Sequence, residues 1–95
     1  MFALSTRRER HAEIVEFLAQ RGAGLELSVP LIARLSGARL EDVVQVAGCS
    51  RQLLYFALRG ERTPSAALRG AMLKVLDIDP WSVMEAMNQA GRGDG

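Results

Sequence analysis

Two short segments with helical periodicity meet at a three-residue break, and this arrangement constrains the fold more than any other feature of the sequence. In the first segment, apolar residues recur at the spacing of one helix face: Leu40, Val43, Val44 and Ala47. The break is Gly48-Cys49-Ser50, in which glycine permits a positive φ and Ser50 is a preferred helix N-cap. The second segment is expected to end at Gly60. A corner of this kind predicts a helix-turn-helix over about residues 40–60.

The rest of the chain also has the pattern of helices separated by short breaks. Thr6 and Glu9 have the spacing of a capping box, which predicts a helix from Thr6 to Arg21. Ser28 is a candidate N-cap for a helix from Val29 to Ser36, with residues 25–27 before it as a loop. Further helices are expected to begin at Thr63-Pro64 or Ser65 and at Asp79-Pro80.

These segments together predict an all-α fold of five or six helices. Residues 1–27 would form an N-terminal helix and linker, and residues 28–90 a helix-turn-helix domain. Residues 91–95, which are rich in glycine, would form a disordered tail.

Composition narrows the range of functions. A single cysteine, Cys49, excludes an internal disulfide and fits a reducing compartment, so a cytoplasmic location is expected. No apolar run approaches the roughly 18 residues that a membrane span needs, so no membrane partner is expected. The one histidine, His11, has no Cys or His partner and no acid arranged around it. The sequence therefore predicts no metal site, no cofactor, no catalytic residues and no enzymatic activity.

Charge is unevenly distributed along the chain. The net charge is only +1, but residues 50–76 carry five basic side chains against the single acid Glu61. Residues 1–49 are balanced and residues 77–95 are acidic. A localised positive segment is what a phosphate-contacting surface requires, although a solvated helix face would look the same.

The second helix of the corner carries side chains suited to the edges of DNA bases. Its apolar face contains Leu54, Ala57 and Leu58, and its opposite face contains Arg51, Gln52, Tyr55 and Arg59. Arg can donate two hydrogen bonds to guanine, and Gln can bond to adenine in the same bidentate manner. Arg51 and Gln52 lie at the start of the helix, the end that enters the major groove in this motif.

The stretch from Leu40 to Pro80 resembles the Cro and phage-repressor-type (XRE) helix-turn-helix family. The resemblance rests on landmarks that lie in register across about forty residues: Gly48, Ser50, Leu54, Gly60, Arg62-Thr63-Pro64-Ser65, the segment from Leu68 to Leu76, and the closing Ile78 and Pro80. The chain is also similar to the small Ner-type regulators of transposable phages. It departs from the family at Val44, where Ala is usual, and at Glu41 and Asp42, where members often touch phosphate and two carboxylates would repel it.

The resemblance implies a lambda-repressor-like domain with an added N-terminal helix, acting as a bacterial or phage transcriptional regulator or repressor. The expected partner is double-stranded DNA, bound in the major groove by the helix from Ser50 to Arg59. Arg62 and Arg69 are expected to contact phosphate, which positions the protein without selecting a sequence. The full set of expected DNA-binding residues is Ser50, Arg51, Gln52, Tyr55, Arg59, Arg62 and Arg69.

The family further implies a homodimer, formed through the helix from Thr6 to Arg21 or through the surface from Trp81 to Met87, the former being preferred. Tyr55 and Phe56 could contact a thymine methyl or the sugar-phosphate backbone of DNA. For Phe56 the preferred expectation is instead that it packs beneath Trp81 as part of the core. The alternative function is a protein-binding adaptor on the same scaffold, in which Tyr55 and Phe56 anchor a protein partner. The low net charge and the acidic Glu41-Asp42 pair favour this alternative, and the basic segment counts against it.

Overall fold

The computed structural model describes residues 6–92, which form six α-helices joined by short turns. In chain order the helices are α1 (Arg7–Gln20), α2 (Leu25–Ser36), α3 (Leu40–Ala47), α4 (Arg51–Leu58), α5 (Ala66–Leu76) and α6 (Pro80–Arg92). None of residues 6–92 forms a strand, so the prediction of an all-α fold of five or six helices is confirmed.

Helices α1, α4, α5 and α6 begin at side chains that the sequence marks as caps. The Thr6 hydroxyl accepts from the Glu9 amide at 3.0 Å, and the Glu9 carboxylate accepts from the Thr6 amide at 2.7 Å. Ser50 and Ser65 each accept, at 3.1 Å, from the amide three residues ahead. The Asp79 carboxylate accepts from the Trp81 amide at 3.1 Å. Each cap satisfies an amide that has no partner within its own helix.

Helix α2 begins earlier than expected. It starts at Leu25 with Gly24 as N-cap, so residues 25–27 are its first turn, and the prediction of a loop there was wrong. The Leu25 side chain is buried and lies on the same helix face as Val29 and Ile32, and that burial favours the earlier start. The predicted domain boundary between residues 27 and 28 therefore falls inside a helix.

One hydrophobic core receives buried side chains from all six helices. It consists of Val15, Leu25, Val29, Ile32, Ala33, Val43, Leu54, Ala57, Leu58, Leu68, Ala71, Met72, Leu76, Ile78 and Trp81. Helix α1 belongs to this core and packs against α2 and α6. The buried His11 ring fixes it further, donating from Nδ1 to the Leu76 carbonyl at 2.7 Å, with Nε2 hydrogen-bonded to the Ser36 hydroxyl at 3.1 Å. The N-terminal helix is thus an integral part of the domain.

The last helix is longer than the sequence suggested. Residues 91 and 92, predicted to belong to a disordered tail, continue α6, and residues 93–95 lie outside the described part of the chain.

Candidate nucleic-acid interface

The corner between α3 and α4 is made by three residues with different backbone conformations. Gly48 ends α3 with φ +70° and ψ +31°, in the left-handed region, and its amide donates to the Val44 carbonyl at 2.9 Å. Ser50 is extended, with φ −86° and ψ 158°, and caps α4. Because glycine adopts the left-handed region without steric cost, the chain reverses from one helix into the next within three residues.

Buried side chains on both sides of the corner hold α4 in place. Val43 of α3 and Leu54 of α4 are both fully buried, and Ala57 and Leu58 are nearly so. Helix α3 packs mainly against α5, and α4 packs against α2 and α3. The exposed side of α4 therefore belongs to a helix whose opposite side is buried in the core.

Arg51 and Gln52 lie next to each other on the exposed first turn of α4. The Arg51 side chain is 70% exposed and its Nη2 forms an ion pair with Oε1 of Glu41, at the start of α3. The hydrogen bond that Arg51 donates to the Glu41 carboxylate and the charge of that carboxylate both raise the pKa of Arg51 above its usual value. The side chain of Gln52 has no hydrogen-bond partner among residues 6–92, so its carboxamide group is available to a ligand.

The contact between Glu41 and Arg51 gives Glu41 a role that the sequence did not suggest. A carboxylate at the start of α3 was expected only to repel phosphate, whereas here it orients the arginine that begins α4. A guanidinium has five N–H donors, and one contact with Glu41 leaves others free for a second acceptor. The only signal in the sequence was the opposite charge of Glu41 and Arg51 at the starts of α3 and α4. This signal could be interpreted only with the structure, in which the corner brings the two helix starts together.

Tyr55 and Phe56 occupy the reverse of the positions expected for them. Tyr55 is half-buried and packs against the core, whereas Phe56 is half-buried outside the core, with the Arg59 guanidinium 5.3 Å from its ring centre. The expectation that Phe56 packs beneath Trp81 was wrong, since Trp81 belongs to the core and Phe56 does not pack against it. The Trp81 indole donates to the Ala57 carbonyl at 3.2 Å. Phe56 follows the buried Leu54 by two residues, a rotation of about 200° around a helix, so it points away from the core.

The remaining expected phosphate contacts differ in how available they are. Arg59 ends α4 and pairs with Glu61 at 3.1 Å. Arg62 is exposed and has no ion-pair partner within the described residues.

Arg69 is engaged elsewhere. Its guanidinium lies 2.8 Å from Asp79 and 3.1 Å from Glu85 and also donates to the Ser82 hydroxyl, and the hydrogen bonds to Glu85 and Asp79 raise its pKa. Its side chain is only 28% exposed. Arg69 thus joins α5 to α6, and we remove it from the candidate interface.

Two kinds of feature are absent from the described residues. Between residues 6 and 92, no group of three or more His, Cys, Asp or Glu side chains is arranged to hold a metal ion. Within the same range, no helix has both the length and the apolar character needed to cross a membrane.

Comparison of the chain with models of known protein families, with curated proteins and with solved structures gave no match. The resemblance to the phage-repressor-type family therefore rests on the residues quoted for it.

Proposed function

We propose that this protein binds double-stranded DNA through α4 and acts in the cytoplasm as a small transcriptional regulator of bacterial or phage type. The observation that carries the proposal is the corner at Gly48-Cys49-Ser50, which presents Arg51 and Gln52 side by side at the exposed start of α4. The major groove of B-DNA admits an α-helix, and arginine and glutamine are suited to its base edges.

Arg51 is the residue best prepared for a base contact. Its ion pair with Glu41 restricts the side chain before DNA arrives, which reduces the rotamer entropy lost on binding. With one donor held by Glu41, the guanidinium retains enough donors to bond a guanine at two atoms. Gln52, without a protein partner among residues 6–92, supplies a second contact one residue further along.

Phosphate contacts come from the end of α4 and the loop after it. Arg62 is exposed and unpaired within the described chain, and Arg59 reaches phosphate by exchanging its contact with Glu61. Each neutralised phosphate contributes a slope of about −0.9 to the dependence of log affinity on log salt. Two such arginines therefore predict a slope of roughly −2 for each protein chain bound.

The test is selection of DNA fragments by the purified protein at physiological ionic strength, followed by titration of the selected site. Arg51→Ala should weaken binding to that site by about fivefold to a hundredfold and abolish preference at one base pair. The matched control is Arg8→Ala, since Arg8 is also an exposed arginine paired with one carboxylate, Asp77, but lies on α1. Equal loss on selected and random DNA for Arg51→Ala would refute base contact by Arg51.

A second candidate function is a protein-binding adaptor, and one observation favours it. Arg51 and Arg59 are each paired with a carboxylate, which lowers the positive charge that the α4 surface offers to DNA. Because Tyr55 packs on the core, Phe56 remains as the aromatic anchor on this surface. An adaptor should pass through a heparin column at low salt, whereas a DNA-binding protein should be retained and eluted by salt.

A further inference from the structure

Phe56 lies on the side of α4 that faces away from the core, between two polar residues of the candidate interface. Successive residues of an α-helix are about 100° apart, so Gln52, Phe56 and Arg59 point within about 60° of one another. The buried residues of α4 point to the opposite side. Gln52 and Arg59 are exposed and Phe56 is partly exposed. Phe56 is therefore the apolar member of an otherwise polar line along α4.

The Phe56 ring is held at the surface by Arg59 and not by the core. The Arg59 guanidinium lies 5.3 Å from the ring centre, and its Nε donates to the Glu61 carboxylate at 3.1 Å. A cation placed over an aromatic ring is attracted by the negative charge of the ring face. The ring is therefore restrained before a ligand arrives, which reduces the entropy that it loses on binding.

The base edges in the major groove offer a phenyl ring one complementary group. Guanine, adenine and cytosine present hydrogen-bond donors and acceptors there, whereas thymine also presents an apolar methyl group on C5. Against the amino group of cytosine, a phenyl ring would displace water without replacing the lost hydrogen bond, which is unfavourable. 5-Methylcytosine carries the same methyl group on the same ring atom as thymine.

We infer that Phe56 selects a pyrimidine that carries a C5-methyl group at one base pair of the bound DNA. This inference rests on the proposed function, because it requires α4 to lie in the major groove. Phe56 follows Gln52 by four residues, a rise of about 6 Å along the helix, and successive base pairs are about 3.4 Å apart. The methylated pyrimidine is therefore expected within about two base pairs of the base that Gln52 contacts.

Replacement of thymine by uracil in the selected DNA removes the methyl group and leaves base pairing unchanged. Each thymine of the selected site is replaced singly by deoxyuridine, and the affinity of the wild-type protein is measured by titration. Burial of one methyl group changes an equilibrium constant by about fourfold, so one replacement for each chain bound should weaken binding by about that factor. Phe56→Ala should bind the thymine and uracil forms of that position equally.

The matched control variant is Phe17→Ala. Phe17 is also a phenylalanine at the surface with an arginine over its ring, the Arg21 guanidinium at 3.6 Å from the ring centre, but it lies on α1. Phe17→Ala should keep the preference for thymine over uracil. Far-ultraviolet circular dichroism establishes that both variants are folded. Equal affinity of the wild-type protein for thymine and uracil at every position, or an undiminished preference in folded Phe56→Ala, would overturn the inference.

A second set of DNAs distinguishes the two sources of the methyl group. At the position that responds to uracil, the thymine is replaced by cytosine or by 5-methylcytosine, each paired with guanine. The wild-type protein should bind 5-methylcytosine about fourfold more tightly than cytosine, and Phe56→Ala should bind the two equally. Affinity for 5-methylcytosine equal to that for thymine would make methylated DNA a ligand as well, and lower affinity would assign thymine alone. Equal affinity for cytosine and 5-methylcytosine would overturn the assignment to the methyl group.

The outcomes also separate this inference from the proposed function. Failure to select any DNA would overturn both, and Phe56 would then be the anchor of the protein-binding adaptor. If DNA is selected but Phe56→Ala weakens binding to the thymine and uracil forms alike, the ring contacts sugar or phosphate, which carry no base preference. That result would retain DNA binding and overturn only the selection of a methyl group by Phe56.

Discussion

Replacement of Gly48 by Ala tests the corner on which the candidate interface depends. Gly48 has φ +70°, and a Cβ added there would meet no atom within 4 Å, so the substitution introduces backbone strain and no clash. The left-handed conformation costs a residue with a Cβ about 1–2 kcal/mol. We therefore expect Gly48→Ala to lower the free energy of unfolding by about 1–2 kcal/mol, or the Tm by roughly 4–8 °C for each kcal/mol.

Two other glycines supply the controls. Gly37 also ends a helix at φ +70° with open space around it, so Gly37→Ala should cost as much as Gly48→Ala. Gly70 lies inside α5, also in open space but without a positive φ, so Gly70→Ala should raise stability by roughly 0.5–1 kcal/mol. Urea unfolding followed by circular dichroism measures all three. A neutral Gly48→Ala, or a Gly70→Ala that destabilises equally, would refute the attribution to backbone conformation.

Two further substitutions separate the roles of the arginines. Glu41→Ala should strengthen binding to random DNA, because an acid is removed near phosphate. It should also weaken the preference for the selected site, because Arg51 is no longer oriented by its ion pair. Titration of both DNAs measures the two effects, and an unchanged preference would contradict the orienting role of Glu41. Arg69→Ala should lower the free energy of unfolding by about 1 kcal/mol, because the contacts with Asp79 and Glu85 are lost, while affinity for DNA changes less than twofold. A larger loss of affinity would return Arg69 to the interface.

Properties that depend on a few neighbouring residues could be predicted from the sequence. The capping box at Thr6, the caps at Ser50 and Ser65 and the glycine ending of α3 follow from local hydrogen bonds and from the φ that each residue tolerates. The inward face of α4 followed from helical periodicity, as did its exposed Arg51 and Gln52. The all-α fold is the sum of such local preferences.

Features that depend on how the helices pack required the tertiary structure. Leu25 extends α2 because its side chain reaches a core built by other helices, which overrides the cap expected at Ser28. The partners of Arg51 and Arg69 lie ten or more residues away, so their ion pairs exist only once α3 meets α4 and α5 meets α6. The exposed leucines of α2 (Leu27, Leu31 and Leu35) could not be assigned to the surface from periodicity, because an apolar stripe is equally compatible with the core. Local sequence thus determined where most of the helices begin, whereas packing decided the start of α2 and which side chains remain available to bind a partner.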